Sequence, residues 1–272
     1  MPRSMLAGLM AAAIAGTVTM WAPWSVAGAS HRAGYEPVLN PADFVRKVTN
    51  PYFPLPAGRT LIYRGIKDGK SQVDRVHVTS HTKVLEGITA VTVTDVARHN
   101  GHLLEKTTDW YAQDKQGNVW YLGEDTAAYL PGGKVDRSGS WQAGVHDAEP
   151  GIIMRAHPQV PNAYRQEYQP GNAEDTAWIV DRGGSFRLPF AVVHNVLTSL
   201  EFTRLEPAVI EKKIYAPGLG IVVERAVTGP REVARLVSVR LARRRRPGET
   251  GSERGRPAIG VQPGSPGVGG CG

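Results

Sequence analysis

The sequence predicts a mainly β protein, an antiparallel meander that forms a curved sheet or half-barrel, with one short N-terminal helix. Apolar and polar residues alternate over many short runs, such as residues 73–80, with the period of a half-buried strand. Turn signals such as Asp68-Gly69 and Asn100-Gly101 separate these runs. The connections are too short to hold crossover helices, so neighbouring strands are expected to run antiparallel.

The predicted elements follow in chain order. Asn40 can cap a short helix over residues 40–48, because Pro41 suits its first turn. Residues 50–56 are too rich in proline for regular structure, and residues 129–161, rich in Gly and Pro, predict a long ordered loop. The predicted strands lie at residues 61–66, 73–80, 88–96, 103–113, 119–122, 164–168, 176–180, 185–188, 196–205, 209–215, 219–227 and 233–241.

The first 29 residues have the features of a secretory signal peptide. Arg3 precedes an apolar run over residues 5–20, Pro23 ends that run, and Ala27-Gly28-Ala29 fits a signal peptidase site. A single arginine fits the general secretory route rather than the twin-arginine route. We expect a mature protein that begins near Ser30 and is secreted or resides in the cell envelope. A retained membrane anchor is the alternative, because the apolar run is nearly long enough to span a bilayer.

Residues 243–272 predict a disordered tail, and residues 30–242 a single β domain. The tail begins with Arg243-Arg244-Arg245-Arg246 and has no apolar periodicity, so burial cannot offset the entropy of ordering it. Its six arginines and two glutamates supply most of the formal net charge of +7. The domain is therefore nearly neutral, which argues against a nucleic-acid partner. The arginine run could contact a cell-envelope polymer, and Cys271, as the one cysteine, cannot form an internal disulfide.

Residues 109–125 predict a β-hairpin with large rings on both faces. A three-residue loop at Lys115-Gln116-Gly117 places Tyr111 opposite Tyr121, and Trp110 opposite Leu122. One face is wholly apolar or aromatic and is expected to pack in the core; it carries Trp110, Ala112, Trp120 and Leu122. The other face mixes rings with polar groups, as a ligand surface does, and its predicted ligand contacts are Tyr111, Gln113 and Tyr121.

Two other sets of side chains could carry chemistry. Paired carboxylates beside aromatic rings suit sugar binding or glycoside hydrolysis; the candidates are Asp109, Glu124, Asp125 and Glu167. Strand-end acids that pair with basic residues or face water are the alternative. His99 and His102 flank a two-residue turn and would face each other, so they could hold a divalent metal, although no third ligand is apparent.

No cofactor is predicted from the sequence. It contains no glycine loop for phosphate, no paired cysteines and no His-Glu-x-x-His stretch. Ser140 lies outside the Gly-x-Ser-x-Gly pattern of a nucleophile elbow, and no helix signal follows it.

Four segments resemble a family of uncharacterised exported bacterial proteins that is common in actinobacteria. The segments are Asn50-Pro51-Tyr52-Phe53-Pro54-Leu55-Pro56-Ala57-Gly58, the hairpin, the run from Tyr164 to Asp175, and Tyr215-Ala216-Pro217-Gly218-Leu219-Gly220. The resemblance covers residues 50–239 and implies no established activity and no catalytic residue. The last segment also resembles the final hairpin of half-barrel envelope proteins of the lipoprotein-carrier type.

The sequence therefore predicts an exported protein that binds a small or lipidic ligand, or a partner, in the concavity of a curved sheet, without catalysis. A hydrolase of envelope polysaccharide and a structural envelope module are the alternatives. An apolar cavity would favour the binding protein. Two carboxylates about 5 to 9 Å apart across an open cleft would favour the hydrolase, and a filled interior the structural module.

Overall fold

The computed structural model describes residues 35–241, and they form a mainly β fold, as predicted. The strands are β1 (Phe44–Val45), β2 (Arg59–Lys67), β3 (Lys70–Leu85), β4 (Ile88–His99), β5 (His102–Asp114), β6 (Val119–Tyr129), β7 (Val135–Asp136), β8 (Trp141–Gln142), β9 (Glu149–Met154), β10 (Ala163–Arg165), β11 (Glu167–Tyr168), β12 (Asp175–Arg182), β13 (Ser185–Arg187), β14 (Val192–His194), β15 (Leu197–Thr203), β16 (Ile210–Ala216), β17 (Gly220–Thr228) and β18 (Glu232–Leu241). The predicted signal peptide, the predicted tail with its arginine run, and Cys271 lie outside the described residues.

One antiparallel sheet contains sixteen of the described strands and nearly closes into a barrel. Its main path runs β10-β12-β15-β16-β17-β18-β2-β3-β4-β5-β6-β9-β11, with β1 beside β5, and β7 and β8 beside β6. The first and last strands of this path, β10 and β11, are consecutive in the chain with only Gln166 between them. Gly151 of β9 allows the main chain of Gln166 to pass close to β9, because a Cβ at this position would lie 2.1 Å from that main chain.

The predicted N-terminal helix is only a single 3-10 turn, Pro41–Asp43. Its cap is as expected, since Asn40 Oδ1 accepts a hydrogen bond from Ala42 N at 3.1 Å. The chain then enters β1, because Phe44 gains both pairing with Asp114 of β5 and burial against an apolar cluster. Within residues 35–241 no helix has the length and apolar character needed to cross a membrane.

The predicted long loop over residues 129–161 is partly sheet. It contains a second 3-10 turn, Pro131–Gly133, and the strands β7, β8 and β9, which all pair with β6. These strands are short and interrupted by glycine and proline, so their alternation was too brief to predict from the sequence.

The core has two parts that lie on opposite faces of the sheet. The larger part fills the inside of the nearly closed sheet and includes Tyr63, Tyr111, Tyr121 and Tyr215. A smaller cluster lies on the other face of the hairpin, where Leu39 and Phe44 pack on it; its buried members are Leu85, Ile88, Ala90, Trp110, Ala112, Leu122 and Ala143. Both faces of the β5–β6 hairpin are therefore covered.

Candidate functional site

The predicted hairpin is formed by β5 and β6, with one departure from the expected register. Tyr111 pairs with Tyr121, as predicted. Trp110 pairs with Gly123 and not with Leu122, because Leu122 is the additional residue of a β-bulge. The sequence carries no signal for this bulge except the glycine itself.

The bulge changes which residues of β6 face the interior. Gly123 has a φ of +138°, and a Cβ there would lie 2.5 Å from the carbonyl oxygen of Trp141, so glycine is required. Residues three positions apart on a regular strand face opposite sides of the sheet. Because Leu122 is an additional residue, Glu124 instead faces the interior, as Tyr121 does. Glu124 is consequently the direct cross-strand partner of Asp109.

The expected assignment of the two hairpin faces holds only in part: Trp110, Ala112 and Leu122 are buried in a core cluster as expected, but the tyrosine face is buried as well. Tyr111 and Tyr121 are only 2% and 1% exposed and belong to the main core. Trp120, expected in the core, is half-buried, and its Nε1 donates to Asp114 Oδ2 at 2.9 Å. The tyrosine face points into the closed sheet, so it packs more completely than a ligand surface open to solvent would.

Gln113, predicted as a ligand contact, is instead an anchor for residues 48–58, which we call the strap. Its Oε1 accepts hydrogen bonds from Thr49 N at 2.7 Å and Asn50 N at 2.8 Å. Its Nε2 donates to Thr49 Oγ1 at 3.2 Å. This side chain therefore holds the strap on the inside of β5. Its amide oxygen and nitrogen both form hydrogen bonds within the protein.

Asn50 fixes the same end of the strap with three further hydrogen bonds. Its Nδ2 donates to the carbonyls of Gly117 at 2.9 Å and Arg155 at 3.0 Å, and its Oδ1 accepts from Tyr52 N at 2.9 Å. Asn50 is 3% exposed. Farther along the strap, Arg59 donates a hydrogen bond to the carbonyl of Pro54. The proline-rich run is therefore held by two polar anchors, Asn50 and Arg59.

A small, partly open cavity of about 40 Å³ lies beneath the strap. Three of the four segments on which the sequence resemblance rests contribute residues to the lining of this cavity: the strap, the hairpin and the loop before β17. Its apolar and aromatic lining is Phe53, Pro54, Leu55, Leu61, Tyr63, Val76, Val93, Tyr111, Leu219, Gly220 and Ile221, and its polar lining is Arg59, Asp95 and Asp109.

A row of aromatic rings leads from the strap to the interior. Phe53 meets Tyr111 edge-on at 5.1 Å between ring centroids, Tyr111 stacks on Tyr121 at 4.7 Å, and Tyr121 meets Trp141 edge-on at 5.2 Å. The Tyr121 hydroxyl donates to Asp109 Oδ1 at 2.7 Å. Burial raises the pKa of Asp109 to about 8, against the opposing effect of this hydrogen bond. Asp109 is therefore protonated at neutral pH.

A second, smaller space of about 10 Å³ adjoins the first at Phe53 and Ile221. It is polar and includes Glu167, Asp175, Glu201 and Lys213. Lys213 Nζ lies 2.7 Å from Glu201 Oε2, and both side chains are buried. Burial opposes the charge on Lys213, but Glu201, Glu224 and Glu211 together raise its pKa above the ordinary value. This end of the barrel therefore contains a buried ion pair.

The four candidate hydrolytic acids are not gathered around an open cleft. Asp109, Glu124 and Glu167 all face the interior and are at most 2% exposed. Glu167 Oε2 accepts a hydrogen bond from Trp141 Nε1 at 2.9 Å. Asp125 lies on the other face, where its Oδ1 accepts from an exposed arginine, Arg137, at 2.9 Å. The four acids therefore do not converge on one open cleft, although Glu124 and Asp125 both line a surface groove.

His99 and His102 are direct cross-strand partners, as the turn predicted. His99 Nε2 lies 3.0 Å from Gln72 Oε1. Burial, together with Lys67 and Lys70, lowers the pKa of His99. Within residues 35–241 no group of three or more His, Cys, Asp or Glu side chains is arranged to hold a metal ion. The pair therefore gains no third ligand from the fold.

Comparison with known proteins gives two distant structural matches. A candidate exported protein with a YmcC-like fold from Bacteroides fragilis is 14% identical, with a TM-score of 0.41, over 70% of this chain and 98% of its own. A candidate lipoprotein from Parabacteroides distasonis is 14% identical, with a TM-score of 0.40, over 70% of this chain and 99% of its own. No protein-family model and no curated protein matches the chain. The resemblance to exported actinobacterial proteins stays a prediction.

Proposed function

We propose that this protein is an exported binding protein that holds an apolar or lipidic ligand inside its closed sheet. The observation that carries the proposal is the internal cavity beneath the strap, whose walls are mainly apolar. Binding sites for small molecules are typically concave, with an apolar lining and a few polar groups that orient the ligand. The polar groups in this cavity are Arg59, Asp95 and Asp109.

The strap is the part that has to move for a ligand to enter. Phe53 inserts between the two interior spaces and is 8% exposed. The segment from Pro51 to Pro56 contains three prolines and pairs with no strand. Besides the packing of Phe53 and Leu55, it is held by hydrogen bonds from Gly218 N to the Pro51 carbonyl, from the Tyr52 hydroxyl to the Asn195 carbonyl and from Arg59 to the Pro54 carbonyl. Displacing it breaks these contacts and leaves the strand pairing of the sheet intact.

The predicted signal peptide supports an extracytoplasmic site of action for such a carrier. Native mass spectrometry of the protein purified from the extracytoplasmic fraction of its own cells should reveal a retained apolar ligand. A mass equal to that of the bare mature chain, together with failure to bind any apolar probe, would contradict the proposal.

A cavity-filling variant tests where such a ligand binds. Val93 lines the cavity from β4, whereas Val96 of the same strand is half-buried on the other face. Val93→Phe should weaken binding of the fluorescent apolar probe N-phenyl-1-naphthylamine by about ten-fold or more, and the control Val96→Phe should leave it unchanged. Equal probe binding by both variants would show that the probe does not occupy this cavity.

A further inference from the structure

Arg59 is a buried cation that contacts no carboxylate among residues 35–241. It is 4% exposed, and it takes part in no ion pair among the described residues. Burying a guanidinium normally requires a carboxylate or an equivalent anion close by. The two acids that share its cavity lie on other strands: β3 separates Arg59 on β2 from Asp95 on β4, and both β3 and β4 separate it from Asp109 on β5.

The protein's own contacts use only part of the guanidinium. Nη1 donates to the carbonyl of Gly218 at 3.0 Å, and Nη2 donates to the carbonyl of Pro54. Nε is buried and has no hydrogen-bond partner within residues 35–241. Both partners are neutral carbonyls, so they satisfy two donors and leave the charge and the Nε–H without a counterpart.

Burial of Arg59 also lowers its pKa. An arginine nevertheless remains charged at neutral pH, because its ordinary pKa is far above 7. Asp109 is protonated at this pH, so it does not supply a compensating negative charge. The cavity therefore pairs an apolar lining with one positive group that contacts no carboxylate of the described residues, at the point where the strap meets the loop before β17.

We propose that the ligand of this cavity is a long-chain carboxylic acid, with its carboxylate on Arg59 and its hydrocarbon chain against the apolar walls. A carboxylate accepts two hydrogen bonds from a guanidinium and supplies the missing charge. The chain matches the chemistry of a lining of leucine, valine, isoleucine and aromatic side chains, and displacement of the strap supplies the volume it needs. This inference rests on the proposed function and names its ligand class.

The test compares two ligands that differ only in the head group. Oleate and oleyl alcohol are each used, below their aggregation concentrations at pH 7.5, to displace N-phenyl-1-naphthylamine from the full mature chain. Oleate should displace the probe at a concentration about ten-fold lower than oleyl alcohol, because only the carboxylate pairs with Arg59. Equal displacement, or a preference for the alcohol, would overturn the inference.

Variants of Arg59 assign any preference to this side chain. Arg59→Met should abolish the preference for oleate over oleyl alcohol, measured as the ratio of their displacing concentrations within that variant, and Arg59→Lys should keep part of it. The control Arg64→Met changes an exposed arginine of the same strand and should keep the full preference. An undiminished preference in Arg59→Met would overturn the inference, and the wild-type comparison decides the matter if that variant does not fold.

The outcomes separate this inference from the proposed function. If the probe fails to bind the wild-type protein, the proposed function is wrong, and the inference of a carboxylic acid ligand is wrong as well. If the probe binds, and Val93→Phe weakens it, but oleate has no advantage over oleyl alcohol, only the carboxylate inference is wrong.

Discussion

Asn50→Ala should destabilise the protein strongly, because this one side chain fixes an end of the strap. The substitution removes two donated hydrogen bonds and one accepted hydrogen bond from a residue that is 3% exposed. Each such bond contributes about 1 kcal/mol net, and the main-chain groups left behind are buried in part. We therefore expect the free energy of unfolding to fall by about 3 kcal/mol, a large share of the roughly 5–15 kcal/mol of an ordinary domain.

Urea unfolding followed by circular dichroism measures this change directly, and a thermal melt supplies an independent readout. For a domain of this size, a loss of about 3 kcal/mol corresponds to a lower melting temperature by about 6–12 °C. Asn50→Asp should not rescue the protein. It keeps an acceptor for Tyr52 N but turns a second oxygen, which cannot donate, towards the carbonyls of Gly117 and Arg155.

Asn172→Ala is the matched control. Asn172 is also an asparagine that donates to two oxygens, Gln169 Oε1 and the Ser140 carbonyl, but it is half-buried and lies away from the strap. We expect it to cost about 1 kcal/mol or less. If Asn50→Ala costs no more than this control, the strap is not anchored by Asn50, and the account of the closed cavity is incorrect.

Three further predictions concern the interior of the barrel. Asp109 has a pKa of about 8 in the folded protein and near 4 in the unfolded chain, so its contribution to wild-type stability falls as the pH rises between these values. The free energy of unfolding of Asp109→Asn, measured by urea titration, should therefore rise relative to that of the wild type by up to about 1.4 kcal/mol per pH unit from pH 5 to 8. A difference between the two proteins that does not change with pH would contradict this. Tyr121→Phe removes the hydroxyl that donates to Asp109 and should cost about 1–3 kcal/mol in the same assay, whereas the control Tyr129→Phe, at an exposed ring, should cost almost nothing. Gly123→Ala should cost about 2 kcal/mol more than Gly101→Ala, since both have positive φ but only the first would meet neighbouring main chain; equal costs in thermal melts would argue against a required glycine at the bulge.

The register of the hairpin shows how far local pattern determines structure. Alternation and the Gly117 turn were enough to pair Tyr111 with Tyr121. They could not reveal the bulge at Leu122, because it depends on the approach of β8 to Gly123. A contact between segments that are distant in sequence produces no periodic pattern of apolar and polar residues in either segment.

The burial of the tyrosine face as well as the tryptophan face could not be predicted for a related reason. Side-chain chemistry suggested that the face with tyrosines and Gln113 would meet a ligand. The fold closes that face inside the barrel and places the strap over it, where Gln113 satisfies main-chain donors of Thr49 and Asn50. Polar groups are buried when the backbone of another segment supplies partners, and those partners are visible only in the folded chain.

Local sequence pattern was enough to predict the class of fold, the antiparallel connections, the cap at Asn40 and the pairing of His99 with His102. Each of these depends on neighbours a few residues apart, whose spacing and turn chemistry are written in the local pattern. Packing between distant segments is what buries Asp109 and Glu124, lays the strap over the cavity and leaves Arg59 there without contact to a described carboxylate. These features arise where β2, the hairpin and the loop before β17 meet. The electrostatic environment of a side chain is set by the segments packed around it, and no local pattern specifies those.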